Sequence, residues 1–327
     1  MKNQLFFTIA VIFPLIFFCF SGCSFITVSL TTTVKPLEET VVSGSGKDKI
    51  LLVDISGVIT DEKKSGIAHF SHEPDMVSRI KEELKSAAQD KHIQAIILRI
   101  NSPGGTVTAS DVIYHELKKY KKETGDTIVA CIMDLGTSGG YYTAVSADKI
   151  IAYPTTVTGS IGVIMLNLSM EGLLQKIGVT DTSIKTGKYK DMGSPLKMMT
   201  DEEQKIFQDV LDTMYKRFLE VIAEGRKELS QDELAPLADG RIYTARQALD
   251  NKLIDQIGYL DEAISLTKKE AGLSDARVIV YHRPGVYKNN MYSQLRNTGI
   301  GTINLFNIDI KTFVNPGTPM FLYLWAP

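Results

Sequence analysis

Ser138 stands in the stretch DLGTSGGYYTAVSA (134–147), with two glycines behind it and the apolar run Ile128–Met133 just ahead. A hydroxyl at that place can cap the helix that the following residues promise. It can also be a nucleophile, with the glycines keeping side chains clear of an approaching group. A serine attacks a carbonyl only when a base removes its proton, and acyl transfer needs donors aimed at the developing oxyanion. The Gly139 N–H suits that need, with the positive end of a helix behind it. Gly104 and Gly105, in the loop NSPGG (101–105), can present a second free N–H.

The base is not given by the same stretch. Asp134 is near in sequence, but His92 and His115 fall at a strand entrance and in mid-helix, and His69 and His72 in a polar loop. No imidazole is placed beside Ser138. Lys185, Lys188 and Lys190 cluster in SIKTGKYKDMGSP (183–195). A lysine base must be neutral, so its pKa must fall from about 10.4 toward roughly 7–8. That is about 4 kcal/mol against the ammonium form, and it takes burial or a neighbouring cation. On composition alone, the three lysines read more simply as a solvated loop.

Strands and helices that could position these residues alternate along the chain. Ile50–Ile55, Ile93–Ile100 and Thr127–Met133 have the length and apolar content of strands covered on both faces. Asp75–Ala88 and Asp111–Lys121 carry apolar residues at helical spacing, and Ser138–Ala147 reads as a third helix. Lys149–Ala152, Ile161–Leu166 and Arg277–Tyr281 read as further strands. Thr200 with Glu203 matches a capping box opening a long helix with an apolar stripe from Ile206 to Ile222. This βαβα order predicts an α/β fold with a parallel sheet flanked by helices, and loops at the strand C-termini are where such sheets bind ligands. NSPGG and GTSGG both lie there.

The chain of 327 residues has 44% hydrophobic and 23% charged residues, as an ordinary globular protein does. Its net charge of −2 gives no reason to expect nucleic acid. His69 and His72 lack a partner cluster, so no metal site is expected, and no cofactor. Met1-Lys2 followed by the uncharged run Leu5–Phe20 has the form of a targeting segment or anchor. Ser21-Gly22-Cys23 resembles a bacterial lipobox, which makes Cys23 a candidate lipidation site, with an uncleaved anchor or simple secretion as alternatives. Each reading puts the domain outside the cytoplasm, held to a membrane by its N-terminus in the first two. Cys131 is left alone in a strand pattern, with no intrachain partner for a disulfide. The expected organisation is an anchor over 1–23, a Thr/Ser/Gly-rich tether over 24–47, a domain over 48–284 and a tail over 285–327. The tail, ending PMFLYLWAP, reads as a strand or flap docking on the domain or on a neighbouring subunit, with a membrane-touching or substrate-mimicking role as the alternative.

The succession NSPGG, GTSGGYYTA, TGSIGV (158–163), GKYKDMGSP and GRIYTARQAL (240–249) resembles the signal peptide peptidase A family over roughly Lys49–Ala271. The resemblance implies a Clp protease/crotonase-like fold and a membrane-bound serine peptidase acting on cleaved signal peptides or other hydrophobic peptides. It implies Ser138 as nucleophile, Lys190 as general base, and Gly105 and Gly139 as oxyanion-hole residues, with Ser160 orienting the lysine. It also implies a homo-oligomeric ring in which the lysine of one subunit reaches the serine of the next. A non-catalytic scaffold that binds membrane-derived peptides is the rival expectation. Tyr141 and Tyr142 are expected either to line a substrate groove or to pack in the core.

Overall fold

The side chains of the central strands divide by parity, and that division builds the fold. In a strand, successive residues face opposite sides. Leu51, Val53, Ile55, Ile96, Leu98, Ile100, Ile128, Ala130 and Ile132 fall in one buried cluster, and Ile50, Leu52, Ala95, Ile97, Val129 and Cys131 in another. The strands that carry them must therefore be covered by helices on both faces.

The computed structural model describes residues 36–62, 74–284, 290–293 and 320–325. Cys23 and the apolar run 5–20 lie outside the described residues. In chain order the first elements are strands β1 (Glu38–Ser43) and β2 (Lys49–Ser56), helix α1 (Met76–Gln89), and strands β3 (Ile93–Ser102) and β4 (Gly104–Thr106). Helix α2 (Val107–Thr124), strand β5 (Thr127–Thr137), helix α3 (Gly139–Ala144) and strands β6 (Lys149–Ala152), β7 (Val157–Gly159) and β8 (Ile164–Leu166) follow. Next come α4 (Glu171–Lys176), α5 (Asp201–Gly225), α6 (Gln231–Leu234), β9 (Ile242–Thr244), α7 (Ala245–Asp250) and β10 (Gln256–Ile257). Helix α8 (Leu260–Glu270), β11 (Arg277–His282) and β12 (Met320–Leu324) complete the described elements.

The main sheet runs β1-β11-β2-β3-β5-β6-β10. Every pair in it from β11 to β10 is parallel, and β1 closes one edge antiparallel to β11. This is the expected α/β architecture. The tether predicted over 24–47 is corrected over 38–43, which form the edge strand β1. Its polar residues mask the pattern because its side chains are mostly exposed or half-buried.

Helices α1 and α2 cover one face through Ile80, Leu84, Ile113 and Leu117, and α8 covers the other through Leu260, Ala263 and Ile264. Asp75 caps α1 by accepting from the Ser78 N–H at 2.9 Å. Thr106 caps α2, so that helix begins at Val107 rather than Asp111 and ends at Gly125, whose φ of +79° suits glycine. Thr200 and Glu203 make the capping box of α5 as the sequence predicts. Two expected elements shrink: Ser138–Ala147 yields a helix only over Gly139–Ala144, and Ile161–Leu166 a strand only over Ile164–Leu166. Among the described residues, no helix is long and apolar enough to cross a membrane.

The strand β5 overruns its neighbour β6 and pairs in parallel with β7, which pairs in turn with β9. A second sheet, β4-β12-β8, is antiparallel throughout and sits at the same strand ends. Its middle strand comes from the tail, whose residues 320–324 dock as a strand.

Candidate active site

Ser138 occupies the turn between β5 and α3. Its φ of +51° lies in the left-handed region that non-glycine residues avoid, a strain of about 1–3 kcal/mol that the surroundings must hold. They do so with two backbone bonds. The Ser138 N–H donates to the Gly159 carbonyl at 2.7 Å, and the Ser138 carbonyl accepts from the Tyr142 N–H at 2.8 Å. Ser138 is in the N-cap position of α3, yet its hydroxyl makes no capping hydrogen bond. The capping alternative is thereby set aside. The residue is 1% exposed, so its hydroxyl is held in a dry setting.

The glycines are required by close approach. A β-carbon on Gly139 would stand 2.4 Å from Ser110 Oγ, and one on Gly140 2.8 Å from the Ser102 carbonyl oxygen. One on Gly104 would stand 2.8 Å from the Gly139 nitrogen. The two glycine loops thus meet backbone to backbone beside Ser138. As the first helical residue, Gly139 has an N–H that its helix cannot pair. The Gly104 N–H donates to Ser102 Oγ at 3.1 Å, which leaves Gly105 to supply the loop's other N–H.

Ser160 follows β7 directly. It shares the left-handed backbone of Ser138, with φ of +50°, and its N–H donates to the Arg241 carbonyl at 2.8 Å. Because Thr137 pairs with Gly159, Ser138 and Ser160 follow paired residues of two adjacent parallel strands. The motif TGSIGV is thereby brought to the serine, and GRIYTARQAL supports it through β9, with Tyr243 buried and its hydroxyl bonded to the Leu237 carbonyl at 2.9 Å.

Lys190 is different. It is exposed, in a turn closed by its N–H on the Gly187 carbonyl at 3.1 Å. Its neighbours are tied to acids: Lys185 pairs with Asp191 at 2.5 Å, and Lys188 with Glu202. Hydrogen bonds from Lys185 and Lys197 hold the Asp191 carboxyl down to about 2. Among the described residues, Lys190 has no such pair. No hydrogen bond joins it to Ser138 within the one chain.

The tyrosines behind the serine do pack in the core, both fully buried. Tyr142 also faces the strand that sequence reasoning left unplaced. Its ring stacks on Tyr323 of β12 with centroids 5.0 Å apart. Only the apolar, β-prone run MFLYL signalled that strand, and nothing in the run told where it would pair. Elsewhere, burial pushes the Cys131 thiol up to about 12, so it is no rival nucleophile.

Residues 120–274 match the family model described as peptidase family S49. A protein carrying the name signal peptide peptidase SppA in Enterococcus faecium is 41% identical over 244 residues, 75% of this chain and 70% of that protein. Protease 4 of Haemophilus influenzae is 33% identical over 67% of this chain but only 34% of its own length. The chloroplastic serine protease SPPA of Arabidopsis thaliana is 30% identical over 78% of this chain and 38% of its own. Among solved structures, a ClpP1 variant from Listeria monocytogenes aligns over 65% of this chain and 94% of that one, with a TM-score of 0.42 and 18% identity.

Proposed function

For a chain that belongs to peptidase family S49 and is a serine-type peptidase, we propose a Ser138–Lys190 dyad acting on hydrophobic peptides beside a membrane. The observation that carries this reading is the strained, uncapped Ser138 on the β5–α3 turn, ringed by close-packed glycines. Lys190 takes the Ser138 proton as Oγ attacks the peptide carbonyl. The Gly105 and Gly139 N–H groups hold the oxyanion. Lys190 returns the proton to the leaving amine, then activates the water that releases the acyl group. Ser160 orients the amine.

A base of this kind works only where no carboxylate keeps it charged, and the lack of an acid partner at Lys190 supports its choice over Lys185 and Lys188. A second copy of the chain supplies the dry surroundings. The segment that carries Lys190 exposes Leu168 at 63%, Ile177 at 64% and Met198 at 66%, an apolar content suited to burial against another subunit. Within the resulting ring, Lys190 of one subunit serves Ser138 of the next. The N-terminal apolar run, with Cys23 as lipidation site, tethers the ring to a membrane on its extracytoplasmic side, where cleaved signal peptides accumulate.

The test is a serine-directed fluorophosphonate probe with an unfolded protein substrate, applied to the full chain in its assembled state. Ser138→Ala is expected to abolish labelling and turnover, and Lys190→Ala to lower turnover by about 10²–10⁴-fold. Undiminished turnover in either variant would overturn the dyad.

A further inference from the structure

We propose that Ser102 is a positioning residue for acyl transfer, whose buried hydroxyl fastens the loop 101–105 so that the Gly105 N–H points at the oxyanion. The proposal rests on the reading of Ser138 as nucleophile and Gly105 as donor, and adds the side chain that sets that donor's direction.

The peptide plane comes first. The Ile59 N–H donates to the Gly104 carbonyl at 2.9 Å, and the Thr106 N–H donates to the Ile59 carbonyl at 2.9 Å. Ile59 thus bridges Gly105 in parallel and grips the peptide group on each side of it. A trans peptide points its C=O and its N–H in opposite directions. With the Gly104 carbonyl turned onto Ile59, the Gly105 N–H of the same peptide group must face away from Ile59. A β-carbon on Gly105 would stand 1.8 Å from the Ile59 carbonyl oxygen, so this approach admits glycine alone. Two glycines in succession also make the plane easy to turn over, because neither carries a side chain to resist. The plane needs a second fastening.

Ser102 supplies it. The residue is fully buried at the end of β3, where it pairs with Gly136 of β5, two residues before the nucleophile. Pro103 has no N–H, so the first donor that the hydroxyl meets along the loop is the Gly104 N–H, which it accepts at 3.1 Å. This is a serine turn, a side-chain oxygen bonded to the N–H two residues on. The same Oγ donates to the Gly57 carbonyl at 2.6 Å, and the Gly57 N–H donates to the Asn101 carbonyl at 2.8 Å. Gly57 stands two residues before Ile59. One hydroxyl therefore joins the segment that grips the Gly104 carbonyl to the N–H of that same glycine. Asn101 acts elsewhere, with its Oδ1 accepting the Leu135 N–H at 3.2 Å. Alanine at 102 leaves the Gly104 N–H and the Gly57 carbonyl short of a partner in a buried place, which is costly. Rotation of the glycine pair relieves that cost and turns the Gly105 N–H off the oxyanion.

The experiment uses the full chain in its assembled state, carrying Ser102→Ala, Ser102→Thr or Ser102→Cys. One arm follows peptide turnover. Ser102→Ala is expected to lower kcat by about 10–100-fold, less than the loss of a whole oxyanion donor, and to leave KM within about threefold. Ser102→Thr keeps the hydroxyl and recovers most of the loss. The kcat–pH profile keeps its midpoint, because Lys190 is untouched. Ser102→Cys keeps the bulk with a weaker hydrogen-bonding group and falls as alanine does, so it carries the same expectation if Ser102→Ala does not assemble. A kcat within about threefold of the parent, no recovery by threonine, or a loss shared with KM and a displaced pH profile overturns the proposal. The second arm needs no catalysis: amide hydrogen exchange over residues 101–106 in the Ser138→Ala background. Adding Ser102→Ala is expected to speed exchange at Gly104 by about tenfold, the worth of one hydrogen bond, and unchanged exchange overturns the fastening. Turnover that persists in Ser138→Ala alone would sink the catalytic reading, while the exchange result still reports the hold of Ser102 on its loop.

Discussion

Ser138 hangs from Gly159: its N–H reaches the Gly159 carbonyl at 2.7 Å, and both residues have positive φ. The last residue of β7 thus holds the turn after β5 in its left-handed form, and Ser160 comes immediately afterward. The serine's place is set by the pairing of two strand ends rather than by its own helix.

That relationship makes Gly159 sensitive. Its φ is +85°, and an added β-carbon would lie 2.5 Å from Tyr243 Cδ2 and 3.0 Å from the Arg241 carbonyl oxygen. Gly159→Ala is expected to cost about 1–3 kcal/mol and to lower kcat more than it changes KM, because Ser138 is shifted. Urea unfolding and steady-state kinetics on one preparation check both parts. A variant as active as the parent would show that the bond does not position the nucleophile.

The lysine cluster separates by charge partner. Lys188→Ala removes an exposed pair with Glu202 and should leave kcat within about threefold, given the small worth of surface ion pairs. Lys190→Ala removes a lysine without such a pair and should fall by orders of magnitude. Parallel kinetics on the two variants decide; an equal loss would move the base elsewhere.

Low pH should open the loop between Lys185 and Lys197. The Asp191 carboxyl sits at about 2 against its ordinary 3.8, through hydrogen bonds from Lys185 and then Lys197. A carboxylate with a depressed value in the folded state contributes fully above the unfolded value, and that contribution is lost as pH falls through the folded one. Pepsin cleavage near Tyr189 should therefore be slow at pH 4 and rise toward pH 2, while Asp191→Asn is cut at pH 4 already. Identical cutting of both chains at pH 4 would contradict this.

Beneath the sheet, Asp54 and Arg99 form a pair with 4% and 2% side-chain exposure, joined at 2.9 Å. Arg99 also holds the carbonyls of Met291 and Ser293. Asp54→Ala strands a buried guanidinium and should cost about 3–5 kcal/mol, read as a lowered urea midpoint. A change under 1 kcal/mol, well below that range, would mean that water reaches Arg99.

The central strands were legible because both faces are apolar: β2, β3 and β5 need no partner to be recognised. The glycine loops were legible because Gly104, Gly139 and Gly140 answer close approaches that no other residue permits. The edge strand β1 was not, since the run Glu38–Ser43 leaves its side chains largely to water. β7 and β9, three residues each, fall below any periodicity and exist by pairing. The geometry between Ser138 and Lys190 is illegible for another reason: within one chain Lys190 lies in solvent, with no bond to Ser138 to leave a mark on the sequence. Tyr323 escaped because pairing across more than two hundred residues leaves no local mark on MFLYL.

β12 has a neighbour on each edge, β4 and β8. A space bordered in that way is one strand wide, roughly 5 Å to either side, and each border demands free amides and carbonyls from whatever enters. A helix has spent those groups on itself, and a hairpin has spent one edge. Only a single extended stretch of chain satisfies both borders at once, which is the form that residues 320–324 take.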